Sequence, residues 1–144
     1  AMRVVGAYAC RPIIEEFHRA LKSGVTDVEE SQLETAHALQ ALTAILSPVA
    51  LRLLCIRGAA IGNPETELPA GEMDPLALQL LETAHGQRVR KWTYALLIVT
   101  IAQLGGFKAR TNDGMPGWNT IWRGWYKLMV MVEGVELFKR LRGT

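Results

Sequence analysis

The sequence predicts an all-α protein of about five helices. Apolar residues recur at three- and four-residue spacing, helix-capping patterns precede several of these runs, and no segment has a convincing strand pattern. Of the 144 residues, 49% are hydrophobic, and the net charge is only +2, which excludes an intrinsically disordered chain. The two cysteines, Cys10 and Cys55, are too few for a disulfide scaffold and indicate reduced thiols in a cytosolic protein.

The first predicted helix runs from about Pro12 to Lys22. Proline suits the first helical position because the N–H that it lacks would have no partner there. A serine and a glycine follow Lys22 as a stop signal. Apolar residues at four-residue spacing give this helix one hydrophobic side: Ile13, Phe17 and Leu21.

The second predicted helix begins near Ser31, where Ser-Gln-Leu-Glu has the capping-box pattern, and ends at Gly58. Pro48 should kink or split it. Its apolar stretch is long, but Gln40 and Arg52 interrupt that stretch. The sequence therefore predicts a soluble protein in which this stretch does not span a membrane.

Three more helices are predicted beyond a loop at 58–74, which has no periodicity. Asp74-Pro75 supplies an N-cap and a first-turn proline for a short helix that ends at Gly86. The next helix is expected at about 88–104, and a long final helix at about 118–141.

Four chemically active side chains fall on one face of the first helix. At 100° per residue, Tyr8, Arg11, Glu15 and Lys22 lie within about 60° of one another, opposite the apolar side. Pro12 disfavours helical geometry at Arg11, so Tyr8 and Arg11 could lie on the entry turn. This face is typical either of a solvated helix surface or of phosphodiester chemistry, in which a carboxylate binds a divalent metal and the cations and phenol contact phosphates.

The spacing Tyr8-x2-Arg11-x3-Glu15-x6-Lys22 resembles the Y-R-E-K signature of bacterial insertion-sequence transposases, with those of the Tn-five type most similar. The resemblance extends from about residue 8 to residue 134. It includes four further segments: Ile14 to Gly24, Ile45 to Leu54, Leu104-Gly105-Gly106-Phe107, and Trp118-x3-Trp122-x-Gly124-Trp125.

This resemblance implies an RNase-H-like catalytic domain in which a D-D-E triad binds two divalent ions, Mg²⁺ or Mn²⁺. Glu15 matches the third member of the triad, and Tyr8, Arg11 and Lys22 match residues that contact transposon-end DNA. Residues 1–58 would be the C-terminal helical part of that domain, without its sheet, and residues 59–144 a helical dimerisation domain. The implied location is the bacterial cytoplasm.

The two catalytic aspartates of such enzymes precede the signature, whereas Asp27, Asp74 and Asp113 all follow Glu15. The N-terminal end-binding domain of these enzymes also has no counterpart in this sequence. A single carboxylate holds a hard cation weakly, because affinity rises with the number of ligands. We therefore expect no metal bound to this chain alone, and no nuclease or strand-transfer activity from it.

The final helix is a candidate dimer interface. Its large apolar residues share one side, and Gly124 between two tryptophans would let another helix approach closely. The predicted interface residues are Trp122, Trp125, Leu128, Met129 and Val132, together with Val135 and Leu137. The same stripe could instead belong to the core of the monomer.

Without a sheet beneath them, Ile13, Phe17 and Leu21 would form an apolar patch larger than monomers usually expose. We expect the chain to cover this patch by self-association or by packing it on the second helix.

Two other functions are compatible with the sequence. One is a stand-alone helical interaction module. The other is a ferritin-like di-iron bundle, since all three histidines occur in Glu-x-x-His motifs, but these lie close to predicted helix ends. The motifs are Glu15/His18, Glu34/His37 and Glu82/His85.

Overall fold

The structure, a computed structural model, describes residues 11–23 and 32–143. Within these ranges the chain forms five helices and no strand, so the all-α prediction is confirmed. The helices are α1 (Arg11–Leu21), α2 (Ala36–Gly62), α3 (Pro75–His85), α4 (Tyr94–Leu104) and α5 (Trp118–Arg142).

The bounds of α2 differ from the prediction at both ends. Thr35 is the N-cap, and its side chain accepts a hydrogen bond from the backbone N–H of Ala38 at 3.2 Å, so the helix begins after the predicted capping box. The helix continues through Gly58 to Gly62, and it therefore crosses the predicted boundary between residues 58 and 59. Pro48 lies inside this single helix and does not split it.

The α3 prediction is confirmed, whereas α4 is shorter than predicted. The Asp74 carboxylate accepts from Leu76 N at 2.8 Å, and Gly86 ends α3 in the left-handed conformation (φ 72°). Helix α4 begins at Tyr94 and not near residue 88, because the preceding segment pairs with another part of the chain. Leu68 N donates to the carbonyl of Trp92 at 2.8 Å, in an isolated antiparallel pairing.

Helix α4 is the centre of the core. Leu97, Ile98 and Ile101 are fully buried, and α4 contacts α2, α3 and α5. Burying such side chains contributes about 1.5–3 kcal/mol each. One continuous hydrophobic cluster includes residues from all five helices, so α1 and α2 share their core with the three C-terminal helices.

Two glycines let α4 and α5 cross at very short distance. A Cβ atom on Gly124 would lie 1.7 Å from the carbonyl oxygen of Ile101, and one on Gly105 would lie 1.8 Å from that of Thr120. Real Cβ atoms do not approach backbone this closely. The helix whose close approach Gly124 was predicted to permit is therefore α4 of the same chain.

Helix α2 leaves much of its apolar surface exposed. By length and composition it could cross a bilayer, since an 18-residue window has a mean hydropathy of 1.8 and only 17% of that window is buried. One helix that passes this test is weak evidence for a membrane span, since core helices of soluble proteins, which are mostly buried, pass it too. Helix α2 also carries Arg52 within its apolar stretch. Its exposed side and α1 together line an apolar groove of about 520 Å³, with Ile13, Ile14, Phe17, Pro48, Leu51 and Leu54 among its walls.

Candidate metal and DNA-contact site on the first helix

Helix α1 packs its apolar side against the rest of the chain. Ala20 and Leu21 are buried, and Phe17 lies against the core cluster. Of the three residues predicted to form an uncovered patch, only Ile13 stays exposed, and it faces the groove with Ile14. This packing directs the opposite side of α1, which carries Glu15, toward solvent.

The predicted metal ligand Glu15 is on that exposed side. Its side chain is 57% exposed, and Arg11 Nε donates to Glu15 Oε1 at 2.7 Å across one helical turn. Arg11 is the first residue of α1, so these two members of the signature are joined on one helix face. Lys22 is exposed immediately after the helix ends, while Tyr8 lies outside the described residues.

The neighbouring Glu16 has the opposite environment. Its carboxylate accepts from Arg57 Nη1 and from Trp118 Nε1, both at 2.8 Å, and from Arg19 Nη1 at 3.2 Å. The Arg57 guanidinium also lies over the Trp118 ring, 5.4 Å from its centroid. Glu16 therefore fastens α1 to α2 and α5 at once.

Sequence reasoning did not identify this role of Glu16. One local signal existed, because Glu16 lies 100° from Glu15 on the helical wheel and thus borders the apolar sector near Ala20. Its partners, however, are 41 and 102 residues away in the chain. No spacing rule within α1 could have named them.

A second indole reinforces the contact between α1 and α5. Trp122 Nε1 donates to the carbonyl oxygen of Ala20 at 2.6 Å in a buried hydrogen bond. With Trp118 on Glu16, two consecutive turns of α5 hold the C-terminal half of α1. The position of Glu15 is thereby tied to the helix that was predicted to dimerise.

The structure places the five predicted interface residues in or beside the monomer core. Trp122 and Leu128 are buried, and Trp125, Met129 and Val132 are partly buried against the core cluster. A different side of α5 is exposed and apolar. We call it the α5 stripe: Val130, Leu137 and Leu141, with Phe138 at its edge and the open Gly134 at its centre.

Basic side chains at 88–91 and at the end of α5 are exposed. One of them is already engaged, since Lys91 Nζ donates to Glu67 Oε1 at 2.5 Å. This hydrogen bond and the adjacent negative charge raise the pKa of Lys91. Lys91 is therefore a structural partner of Glu67 in addition to being a surface cation.

The described residues do not group with Glu15 into a site of three or more metal-binding side chains. Between residues 11 and 23 and between 32 and 143, no group of three or more His, Cys, Asp or Glu side chains could hold a metal ion. Glu15 supplies one carboxylate, already paired with Arg11. A divalent ion that takes six or more oxygen ligands is held weakly by one carboxylate, because its affinity rises with the number of protein ligands.

Compared with models of known protein families, the sequence matches none.

Proposed function

We propose that this chain is the part of a cut-and-paste DNA transposase that carries the glutamate of the metal-binding triad and the helices of the dimerisation domain. The proposal rests on the Y-R-E-K spacing, and on the later motifs that follow it in the expected order. In this role Glu15 is a metal ligand, while Arg11, Lys22 and Tyr8 contact the DNA backbone near the cleavage site. The proposed location is the bacterial cytoplasm.

The signature spacing carries the proposal, and the different environments of two adjacent glutamates support Glu15 as its metal ligand. Glu16 is committed to Arg57 and Trp118, which fixes α1, whereas Glu15 projects into solvent beside Arg11. A carboxylate that binds an ion together with carboxylates from other parts of the protein must be held on a rigidly packed helix. Its side chain must also be exposed, so that the ion and the other ligands can reach it. Glu15 has both, which favours it over Glu16 as the ligand.

The apolar groove between α1 and α2 supports the same assignment. The groove is lined almost entirely by carbon, and three of its lining residues, Ile13, Ile14 and Leu51, are each more than half exposed. We propose that the sheet of the RNase-H-like domain, contributed by chain that precedes α1, covers Ile13, Ile14 and Leu51. Helices that pack on one face of a sheet bury their apolar side chains against that sheet.

The residues of this chain would bind a metal only together with the two aspartates of the triad. When bound, two divalent ions supply activation of water or of a 3′-hydroxyl and stabilisation of the leaving oxygen. Arg11 restrains the Glu15 carboxylate through their hydrogen bond, and Lys22 adds a positive charge for the phosphate backbone. The chain alone should cleave no DNA.

The test of this function uses the chain joined to the coding sequence that precedes it. We expect that sequence to encode two aspartates on strand patterns, and Glu15→Gln in the joined protein to abolish cleavage of transposon-end DNA while DNA binding is retained. Electrophoretic cleavage and mobility-shift assays measure both. Glu34→Gln, another exposed glutamate, is the matched control and should cleave normally.

Cleavage by Glu15→Gln at the rate of the unmodified protein would refute the metal role. It would favour the alternative of a helical interaction module, which uses the exposed apolar surfaces of α2 and α5 without chemistry. An upstream sequence without the two aspartates would have the same consequence.

We further propose that two copies associate through the α5 stripe. Val130, Gly134, Leu137 and Leu141 follow the spacing i, i+4, i+7, i+11 and so lie within about 60° on one side of the helix. Gly134 has open space around it, which permits close approach of a second helix. This spacing matches the seam of a two-helix coiled coil.

Leu137→Glu should weaken this association by at least tenfold, because the carboxylate would be desolvated in the contact. Size-exclusion chromatography with light scattering across a concentration series measures the monomer–dimer equilibrium. Lys139→Glu places the same group on the opposite side of α5 and should leave the equilibrium nearly unchanged. A chain that stays a 15.9 kDa monomer at all concentrations would contradict the proposal.

A further inference from the structure

The charges of the chain are divided unevenly between its two parts. Residues 88–144 contain ten Lys or Arg and three Asp or Glu, whereas residues 1–87 contain six and eleven. Between residues 88 and 132 the one acidic residue is Asp113, whose carboxylate accepts a hydrogen bond from Arg110 N at 2.9 Å. A polyanion is therefore attracted to the C-terminal part of the chain and is repelled, on the whole, by the first 87 residues.

The exposed side of the N-terminal half of α5 carries two of these cations. Within residues 118–128 the exposed side chains are Asn119, Arg123, Tyr126 and Lys127, and Tyr126 is 56% exposed. Arg123 and Lys127 lie one turn apart and within about 40° on the helix, and neither forms an ion pair with a residue that the structure describes. All four side chains can donate a hydrogen bond and none is acidic. Such a set of side chains is typical of contacts to phosphate oxygens.

The turn of α5 between these two cations lies against the end of α4. A Cβ atom on Gly124 would lie 3.1 Å from Gly105 N, the residue that follows α4. Lys127 Nζ donates to the carbonyl oxygen of Leu104, the last residue of α4, at 2.9 Å. The helix crossing therefore fixes the backbone beneath Arg123 and Lys127, and it directs both side chains away from the core.

A third cation lies at the same end of α4. Phe107 N donates to the carbonyl oxygen of Ala102 at 2.9 Å, which holds the chain after α4 against the last turn of that helix. Lys108 follows Phe107 directly and is exposed. Positive charge is thus presented by α5 and by the turn that ends α4. We call this the α4–α5 basic surface, and it consists of Lys108, Arg123 and Lys127.

We propose that the α4–α5 basic surface binds the phosphate backbone of duplex DNA, whatever the base sequence. Lys108, Arg123 and Lys127 neutralise phosphates, while Asn119 and Tyr126 donate hydrogen bonds to phosphate oxygens. An anionic bilayer fits less well, because it requires apolar side chains beside the cations, and residues 118–128 expose no aliphatic side chain.

The role of this contact rests on the proposed function, in which DNA is otherwise contacted only by α1 and the residues that flank it. The α4–α5 basic surface would hold the DNA on a second part of the chain, where acidic residues are few. The binding itself requires neither Glu15 nor a metal ion.

Fluorescence anisotropy of the whole chain with a labelled duplex of about 20 base pairs, at several KCl concentrations and with EDTA present, tests the proposal. Replacing both α5 cations, Arg123→Gln with Lys127→Gln, should weaken binding by about tenfold. The slope of log affinity against log salt should fall by about 2, because each phosphate contact contributes about 0.9. Exchanging the cations, Arg123→Lys with Lys127→Arg, keeps both charges and should preserve the slope.

The matched control is Lys139→Gln with Arg142→Gln, which removes two charges from α5 about 18 Å or more beyond Lys127 and should leave the slope nearly unchanged. Melting curves and light scattering verify that every variant is folded and has the same oligomeric state.

Three results would overturn the proposal. The first is no duplex binding at the lowest KCl concentration, and the second is an unchanged slope after replacement of both α5 cations. The third is binding to vesicles of phosphatidylcholine and phosphatidylserine but not to the duplex, which would assign the surface to a membrane. None of these measurements involves cleavage, so a failure of the α4–α5 basic surface is distinguishable from a failure of the metal role of Glu15.

Discussion

Gly124→Ala should lower the free energy of unfolding by about 3 kcal/mol or more, although it adds one methyl group to a helix. The added Cβ would lie 1.7 Å from the Ile101 carbonyl oxygen, and both contact atoms nearest to it are backbone. Backbone cannot rotate away as a side chain can. Helices α4 and α5 would have to separate, and the packing of the buried Ile101 and Ile121 between them would loosen.

Gly134→Ala is the matched control, since it makes the same chemical change in the same helix. No heavy atom lies within 4 Å of a Cβ built there, and the residue is exposed. At protein concentrations too low for association through the α5 stripe, alanine should therefore stabilise α5 by about 0.5–1 kcal/mol through helix propensity alone. Urea denaturation followed by tryptophan fluorescence measures both variants. Equal stabilities of the two variants would show that α4 and α5 do not cross at Gly124.

Gly105→Ala tests the crossing from the other side. Its Cβ would meet the Thr120 carbonyl oxygen at 1.8 Å, so a loss similar to that of Gly124→Ala is expected. Once one substitution has separated α4 from α5, the second should lower the free energy of unfolding only slightly further. The double variant should accordingly lose clearly less stability than the sum of the two single losses.

Sequence reasoning predicted the features that depend on neighbouring residues. The helix after Asp74-Pro75 and its end at Gly86 follow from capping groups within a few residues. The final helix has no side-chain cap at Gly117, and its start was predicted from the loop that precedes it. The close approach at Gly124 was also foreseen, because only a small residue fits between two indoles where another helix passes. The sequence did not say which helix that was.

The helix bounds that were predicted wrongly are those set by contacts with a distant part of the chain. The segment before α4 looks helical by composition, but Tyr94 N donates to the carbonyl oxygen of Thr66 at 3.3 Å, and this pairing keeps residues 88–93 out of the helix. Gly58 was expected to end α2, yet the core residue Ala60 is buried one half-turn later, and its packing carries the helix onward. Contacts of this kind have no local signature.

In the candidate site, too, one feature could be predicted from neighbouring residues and another could not. That Glu15 lies on the polar face of an amphipathic helix was predictable from its spacing to Ile13 and Phe17. That its neighbour Glu16 is the anchor of α1 was not, because Arg57 and Trp118 are brought to it only by the tertiary fold.

These two neighbouring glutamates provide the second large prediction. Glu16→Gln should lower the free energy of unfolding by about 2–4 kcal/mol, because it leaves the Arg57 guanidinium without its counter-charge. Glu16 and Arg57 side chains are only 21% and 20% exposed, so solvent compensates little of this loss. Arg57 Nε is already buried without a hydrogen-bond partner among the described residues, and the variant would remove the charge that offsets it.

Glu15→Gln makes the same change one residue earlier and should alter stability by no more than about 0.5 kcal/mol, because its pair with Arg11 is largely exposed. Urea denaturation of both variants measures the difference. A double-mutant cycle with Arg57→Met isolates the Glu16–Arg57 interaction, and we expect a coupling of about 1–3 kcal/mol. If Glu15→Gln proved the more destabilising of the two, the orientation of α1 would be reversed, and Glu15 could not be the exposed metal ligand that the transposase proposal requires.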